Sequence, residues 1–135
     1  MIIRTGVDLL EIDRLNSISP NIKARFLRRV YTSQELALAR DSVDFLAGRF
    51  AAKEAVSKAL GTGIGWVSWQ DIEILQAPTG EPILVLHGRA YQRSQQLGLE
   101  TWSVSISDTR THAVAMAVAF GDGRGSVKNE GPFSQ

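Results

Sequence analysis

The 135-residue chain carries 15 Lys and Arg against 14 Asp and Glu, a formal net charge of +1, with no cysteine, 44% hydrophobic and 21% charged residues. These values fit one globular domain and exclude a disulfide framework, a thiolate-bound metal and a cysteine nucleophile, while the near-neutral charge excludes the broad basic field of a nucleic-acid binder. The longest apolar run, Ala113 to Phe120, has 8 residues, against about 20 for a membrane span, and the start lacks the charged and apolar regions of a signal peptide, so the expectation is a cytoplasmic protein with neither membrane nor nucleic acid as partner.

Ile2 to Leu9 reads as an apolar strand with Asp8 at its end, followed by a short helix over Glu11 to Ile18 that Pro20 cuts off. Asn21 is the expected cap of a second short helix, which carries Lys23, Arg25, Arg28 and Arg29. Thr32 with Glu35 three residues on predicts a capping box and a third helix to Arg40. Phe45 to Leu60 is rich in alanine and predicts one long helix, with Gly61 as its terminator. At 100° per residue, Ala47, Ala51, Glu54 and Lys58 share one face of it, and Phe45, Val56 and Leu60 lie roughly opposite.

Beyond the glycines of 61–65, Asp71 to Leu75 and Ile83 to Leu86 read as a hairpin around Pro78-Thr79-Gly80-Glu81. Arg89 to Leu97 predicts a helix that Gly98 stops. Trp102 to Ile106 and Ala113 to Phe120 predict two more strands, the last apolar enough to be central. These elements form a domain over 1–120, and the glycine-rich residues 121–135 read as a flexible tail.

Asp8 and Glu54, carboxylates on separate elements, fit a magnesium site completed by substrate phosphates and water; equally, Glu54 and Lys58 fit an i, i+4 ion pair. Lys58 and the glycines after it fit either a phosphate cradle or a helix stop. The run lacks the Walker pattern, since Trp66 and Val67 follow the glycines. Ser105, Ser107, Asp108 and His112 lack the glycine-flanked elbow of a serine nucleophile, and His87, at a strand end, reads as structural.

Three segments carry a family resemblance: Gly6-Val7-Asp8-Leu9-Leu10-Glu11-Ile12, the run from Phe45 through Glu54 and Lys58 to Gly65, and Val104-Ser105-Ile106-Ser107. With Asp71-Ile72-Glu73-Ile74 and Gly80-Glu81-Pro82, they resemble the holo-acyl-carrier-protein synthases over about Ile2 to Phe120. The resemblance implies an α+β fold of the 4'-phosphopantetheinyl transferase type, with a mostly antiparallel sheet wrapped around one long helix, assembled as a homotrimer that binds coenzyme A between subunits. It also implies transfer of the 4'-phosphopantetheine arm of coenzyme A to a serine of apo acyl carrier protein, in fatty-acid synthesis.

In that reading Asp8 and Glu54 are the magnesium ligands. Glu54, Lys58 and Asp108 form the catalytic set, with Glu54 or a metal-associated water taking the serine proton. Arg49, Lys58, Gly61, Asp108 and Thr109 are the expected coenzyme A contacts, although Arg49 also fits a packing role. Arg14, Arg25 and Arg29, with Phe26 as apolar anchor, are the expected docking surface for the acidic carrier protein. One departure stands out: Asp108 occupies a place where many members have histidine, with His112 four residues on. An ionised carboxylate donates no hydrogen bond to phosphate, so a module that binds without transferring is the alternative reading.

Overall fold

In the computed structural model, which describes residues 1–125, strands β1 (Ile2–Glu11), β5 (His112–Gly121) and β4 (Thr101–Asp108) form an antiparallel sheet in the order β1-β5-β4. The expected tail lies outside the described residues from residue 126 on. The apolar β5 is central, as its composition predicts. β1 runs two residues further than expected because its ladder with β5 continues to Glu11 opposite His112. Asp8 is therefore inside the strand and not at its end, and helix α1 shrinks to Asp13–Asn16.

Helix α2 spans Pro20–Val30 with Pro20 in its first turn and Ser19 at the N-cap position, so Asn21 is not the cap. Pro is suited to that turn, since its missing N–H would have no intrahelical acceptor there. The capping box forms as predicted. Thr32 Oγ1 accepts from Glu35 N at 3.2 Å and Glu35 Oε1 accepts from Thr32 N at 2.9 Å, opening α3 (Ser33–Ala39).

Helix α4 (Val43–Leu60) is capped by Ser42 and closed by Gly61 at φ 76°. Its alanines 51, 55 and 59 meet Ala115, Ala117 and Ala119 of β5 in one core cluster. Small residues on both sides let helix and sheet approach closely, most tightly at Gly6, where a Cβ would lie 1.8 Å from the Ala55 carbonyl oxygen.

Strands β2 (Ile72–Gln76) and β3 (Pro82–Leu86) form the predicted hairpin as a separate antiparallel pair, and helix α5 (Gly88–Gln96) follows. What sequence reading did not supply is how the outer edge of β2 is satisfied. Lys53, in the middle of α4, is fully buried and ion-paired to the equally buried Glu35 at 2.8 Å. Its ammonium also donates to the carbonyls of Trp69 at 3.0 Å and Ile72 at 2.6 Å, which uses all three N–H donors. Glu35 Oε2 in turn accepts from Ile74 N at 2.8 Å.

Removing one member of such a pair leaves an uncompensated buried charge. Lys53→Met is expected to cost about 3–5 kcal/mol, measured by urea unfolding, with the double variant Lys53→Met, Glu35→Gln losing less than Lys53→Met alone. Equal losses would show that the pair is not the reason Lys53 is tolerated in the core.

Candidate active site

The site grows from the contact between β1 and the last turns of α4. Alternation puts Arg4, Gly6 and Asp8 of β1 toward the helix, and the bare Gly6 lets the two backbones close up. Lys58, on the exposed side of α4, curls back over the strand. Its ammonium donates to the Val7 carbonyl at 2.9 Å and to Asp8 Oδ1 at 3.2 Å.

Glu54 precedes Lys58 by one helical turn and is half-buried. Burial pushes its carboxyl above the usual carboxylate range, the charge of Asp8 pushes it further, and Lys58 offsets part of the rise. Two carboxylates and an ammonium are thus electrostatically coupled in one place, with Lys58 ion-paired to Asp8 rather than to Glu54 of its own helix. Among the described residues no group of three or more His, Cys, Asp or Glu gathers as a metal cage. Two carboxylates whose charges oppose one another are nevertheless a suitable donor set for a magnesium ion that takes its other ligands from phosphate and water.

The glycine run behaves as a helix stop. Gly61 N–H bonds Lys58 O at 3.0 Å, the N–H groups of Thr62 and Gly63 bond Ser57 O at 3.1 and 3.2 Å, and Gly65 N–H bonds Val67 O at 2.9 Å. Those donors are committed to the loop's own closure, which leaves the Lys58 ammonium as the cationic group facing solvent there, its side chain 52% exposed.

The remaining expected site residues lie elsewhere in the chain. Arg49 is buried on another side of α4, donating to the carbonyls of Ile74 at 3.3 Å and Leu75 at 3.0 Å and stacked 3.9 Å from the Phe45 ring centroid; within one chain it packs. Asp108 and Thr109 are exposed at the end of β4, with β5 between them and β1. The register sets Asp8 level with Ala115 and Ile106, so strand spacing puts Asp108 about 12 Å from Asp8. The ring of His112 is engaged locally, its Nδ1 2.9 Å from Thr111 Oγ1.

Arg14 on α1 and Arg25 and Arg29 on α2 are exposed, and Phe26 is half-buried. Phe26 stacks on Phe50, ring centroids 6.1 Å apart, and Phe50 meets Trp69 at 4.7 Å. Phe26 is therefore part of an aromatic cluster rather than an isolated ring.

Residues 4–118 match the family model described as the 4'-phosphopantetheinyl transferase superfamily. The chain belongs to this superfamily. It is 46% identical over 124 residues to a holo-acyl-carrier-protein synthase of Herpetosiphon aurantiacus, covering 87% of this chain and 98% of that one. It is 42% identical over 125 residues to the synthase of Natranaerobius thermophilus, covering 90% and 100%. Among solved structures, the Helicobacter pylori holo-acyl-carrier-protein synthase in complex with coenzyme A superimposes with a TM-score of 0.78 at 33% identity, covering 86% of this chain and 99% of that one. The α+β fold of antiparallel sheets and helices is thus a transferase-superfamily fold. Among the described residues, no helix is long and apolar enough to cross a membrane.

Because the Glu54 carboxyl is raised in the fold, its ionisation opposes folding: its contribution is most favourable below the unfolded value and is lost as pH rises through the folded one. Glu54→Gln is therefore expected to gain melting temperature over the parent chain as pH goes from about 4 to about 8. A difference independent of pH, in thermal melts of the ligand-free protein, would contradict the raised carboxyl.

Proposed function

We propose that this chain transfers the 4'-phosphopantetheine arm of coenzyme A to a serine of apo acyl carrier protein, releasing adenosine 3',5'-bisphosphate. The observation that carries this reading is the coupled cluster of Asp8, Glu54 and Lys58 at the β1–α4 contact of a chain in this superfamily. It is further supported by close relatives that are named for the same activity and by a solved relative in complex with coenzyme A.

The serine oxygen forms a bond to the phosphorus that carries the pantetheine arm, and the bond from that phosphorus to the bridging pyrophosphate oxygen breaks. Glu54, or a water beside the metal, accepts the serine proton. Lys58 balances the charge that develops on the departing phosphate. Asp8 and Glu54 are the residues that would hold a magnesium ion, which when bound would supply charge neutralisation at the pyrophosphate.

A homotrimer is the assembly this reading favours. The outward face of the sheet exposes Ile3, Val7, Leu9, Val114, Met116 and Phe120, and the register sets Ile3 beside Phe120, Val7 beside Met116 and Leu9 beside Val114. A contiguous apolar face of this kind marks a protein interface. Subunits joined there give Asp108 and Thr109 a place against a neighbour's Lys58, where coenzyme A lies between them. Gly61 and the exposed Arg14, Arg25 and Arg29 complete the proposed binding surfaces, the three arginines steering the acidic carrier, while the buried Arg49 keeps its packing role. The proposed setting is the cytoplasm, in fatty-acid synthesis. No observation favours the non-transferring module.

Incubation with apo acyl carrier protein, coenzyme A and magnesium is expected to add one phosphopantetheine to the carrier, read by intact mass, and the double variant Asp8→Ala, Glu54→Ala is expected to add none. An unmodified carrier in the presence of folded, coenzyme A-binding parent protein would overturn the proposal.

A further inference from the structure

The last turn of α4 ends in four carbonyls that have no partner within the helix, and all four are accounted for. Ser57 O accepts from Thr62 and Gly63, and Lys58 O from Gly61. Ala59 O accepts from Arg4 Nε at 2.6 Å, and Leu60 O from Arg93 Nε at 2.9 Å. Two guanidinium groups, one from β1 and one from α5, thus close the negative end of the helix, where cations are favoured. Both reach Gly61: a Cβ there would meet Arg4 Nη2 at 2.6 Å and Arg93 Nη2 at 3.6 Å.

Arg4 differs from Arg93 in the element it belongs to. β1 also carries Asp8, four residues on and about 13 Å along the strand. Between them Gly6 touches the helix with backbone alone and offers no side chain to lock the two elements in register. The ladder with β5 and the packing of Ile2 and Leu10 hold β1 in the sheet, and along its contact with the last turns of α4 two polar contacts flank Gly6, Arg4 on Ala59 O and Lys58 on Asp8 and Val7 O. We infer that Arg4 is a positioning residue, the anchor that sets β1 against α4 so that Asp8 stands beside Lys58 and Glu54. This rests on the transferase reading, and assigns within it a residue that touches none of the reacting groups.

The test compares Arg4→Met, which keeps the bulk and loses the donor, with Arg4→Lys, which keeps a cationic donor, and with the core truncation Leu99→Ala as a control for lost stability. Arg4→Met is expected to lower kcat by about tenfold or more, leave KM for the apo carrier within about twofold, and be recovered largely by Arg4→Lys. Leu99→Ala is expected to melt at a lower temperature and keep kcat. Should Arg4→Met fail to fold, Arg4→Gln takes its place, with the same expected split. An unchanged kcat, a loss matched by Leu99→Ala at equal loss of melting temperature, or a defect that Arg4→Lys does not relieve overturns the role of Arg4. If the parent chain itself fails to modify the carrier, the transferase reading falls instead.

Discussion

Three buried charged side chains serve the open edge of β2 in place of a neighbouring strand. Lys53 donates to the carbonyl of Ile72, Arg49 Nε to that of Ile74, and Glu35 accepts the N–H of Ile74. A two-stranded hairpin is at best marginal alone, so this one depends on α3 and α4 to satisfy its backbone. Thr32 ties Glu35 and Glu73 into the same network, donating to Glu73 Oε2 at 2.6 Å, and Glu73 reaches His87 at 3.0 Å. The pair that looks expensive in isolation is what joins the hairpin, the capped helix α3 and the central helix into one body.

With α4 held from that side, its other side is free to meet the large sheet through alanine and glycine. Close backbone approach at Gly6 and Ala55 brings a strand carboxylate within reach of a helix ammonium that would otherwise point to solvent. The raised carboxyl of Glu54 follows from the same crowding. Packing and chemistry are therefore one arrangement: the small residues that fill the core also set the spacing of the charged groups at its rim.

Much of this was legible in the sequence, and what was not has particular causes. The order of elements, the capping box at Thr32 and Glu35, the hairpin and the central position of β5 follow from periodicity and turn chemistry. Sequence alone puts Asp8 at a strand end, because the length of β1 depends on its partner: β5 runs on to His112 and carries β1 with it to Glu11. The burial of Lys53 is not legible in its local sequence, because a lysine in an alanine-rich helix normally faces water; the available signal is Glu35, the single acid in a basic segment. Arg4 was similarly hidden, although an arginine sharing the inward face of a strand with Ile2 and Leu10 is a position that calls for a buried acceptor. The grouping of Asp8, Glu54 and Lys58 as a candidate site rests on resemblance more than on spacing, since an i, i+4 acid and base pair is common on any helix.

One chain brings Asp8, Glu54 and Lys58 together and leaves Asp108 and Thr109 across the sheet, and in the proposed function each working site draws on two copies of the chain. Mixed assemblies test this most directly. A Lys58→Ala variant and an Asp108→Ala variant, each impaired alone, are unfolded together, refolded as a mixture and assayed for carrier modification. Random assembly restores one intact site in about four, so the account predicts about a quarter of the parent activity from the mixture. Activity no higher than the mean of the two variants would contradict a site shared between subunits.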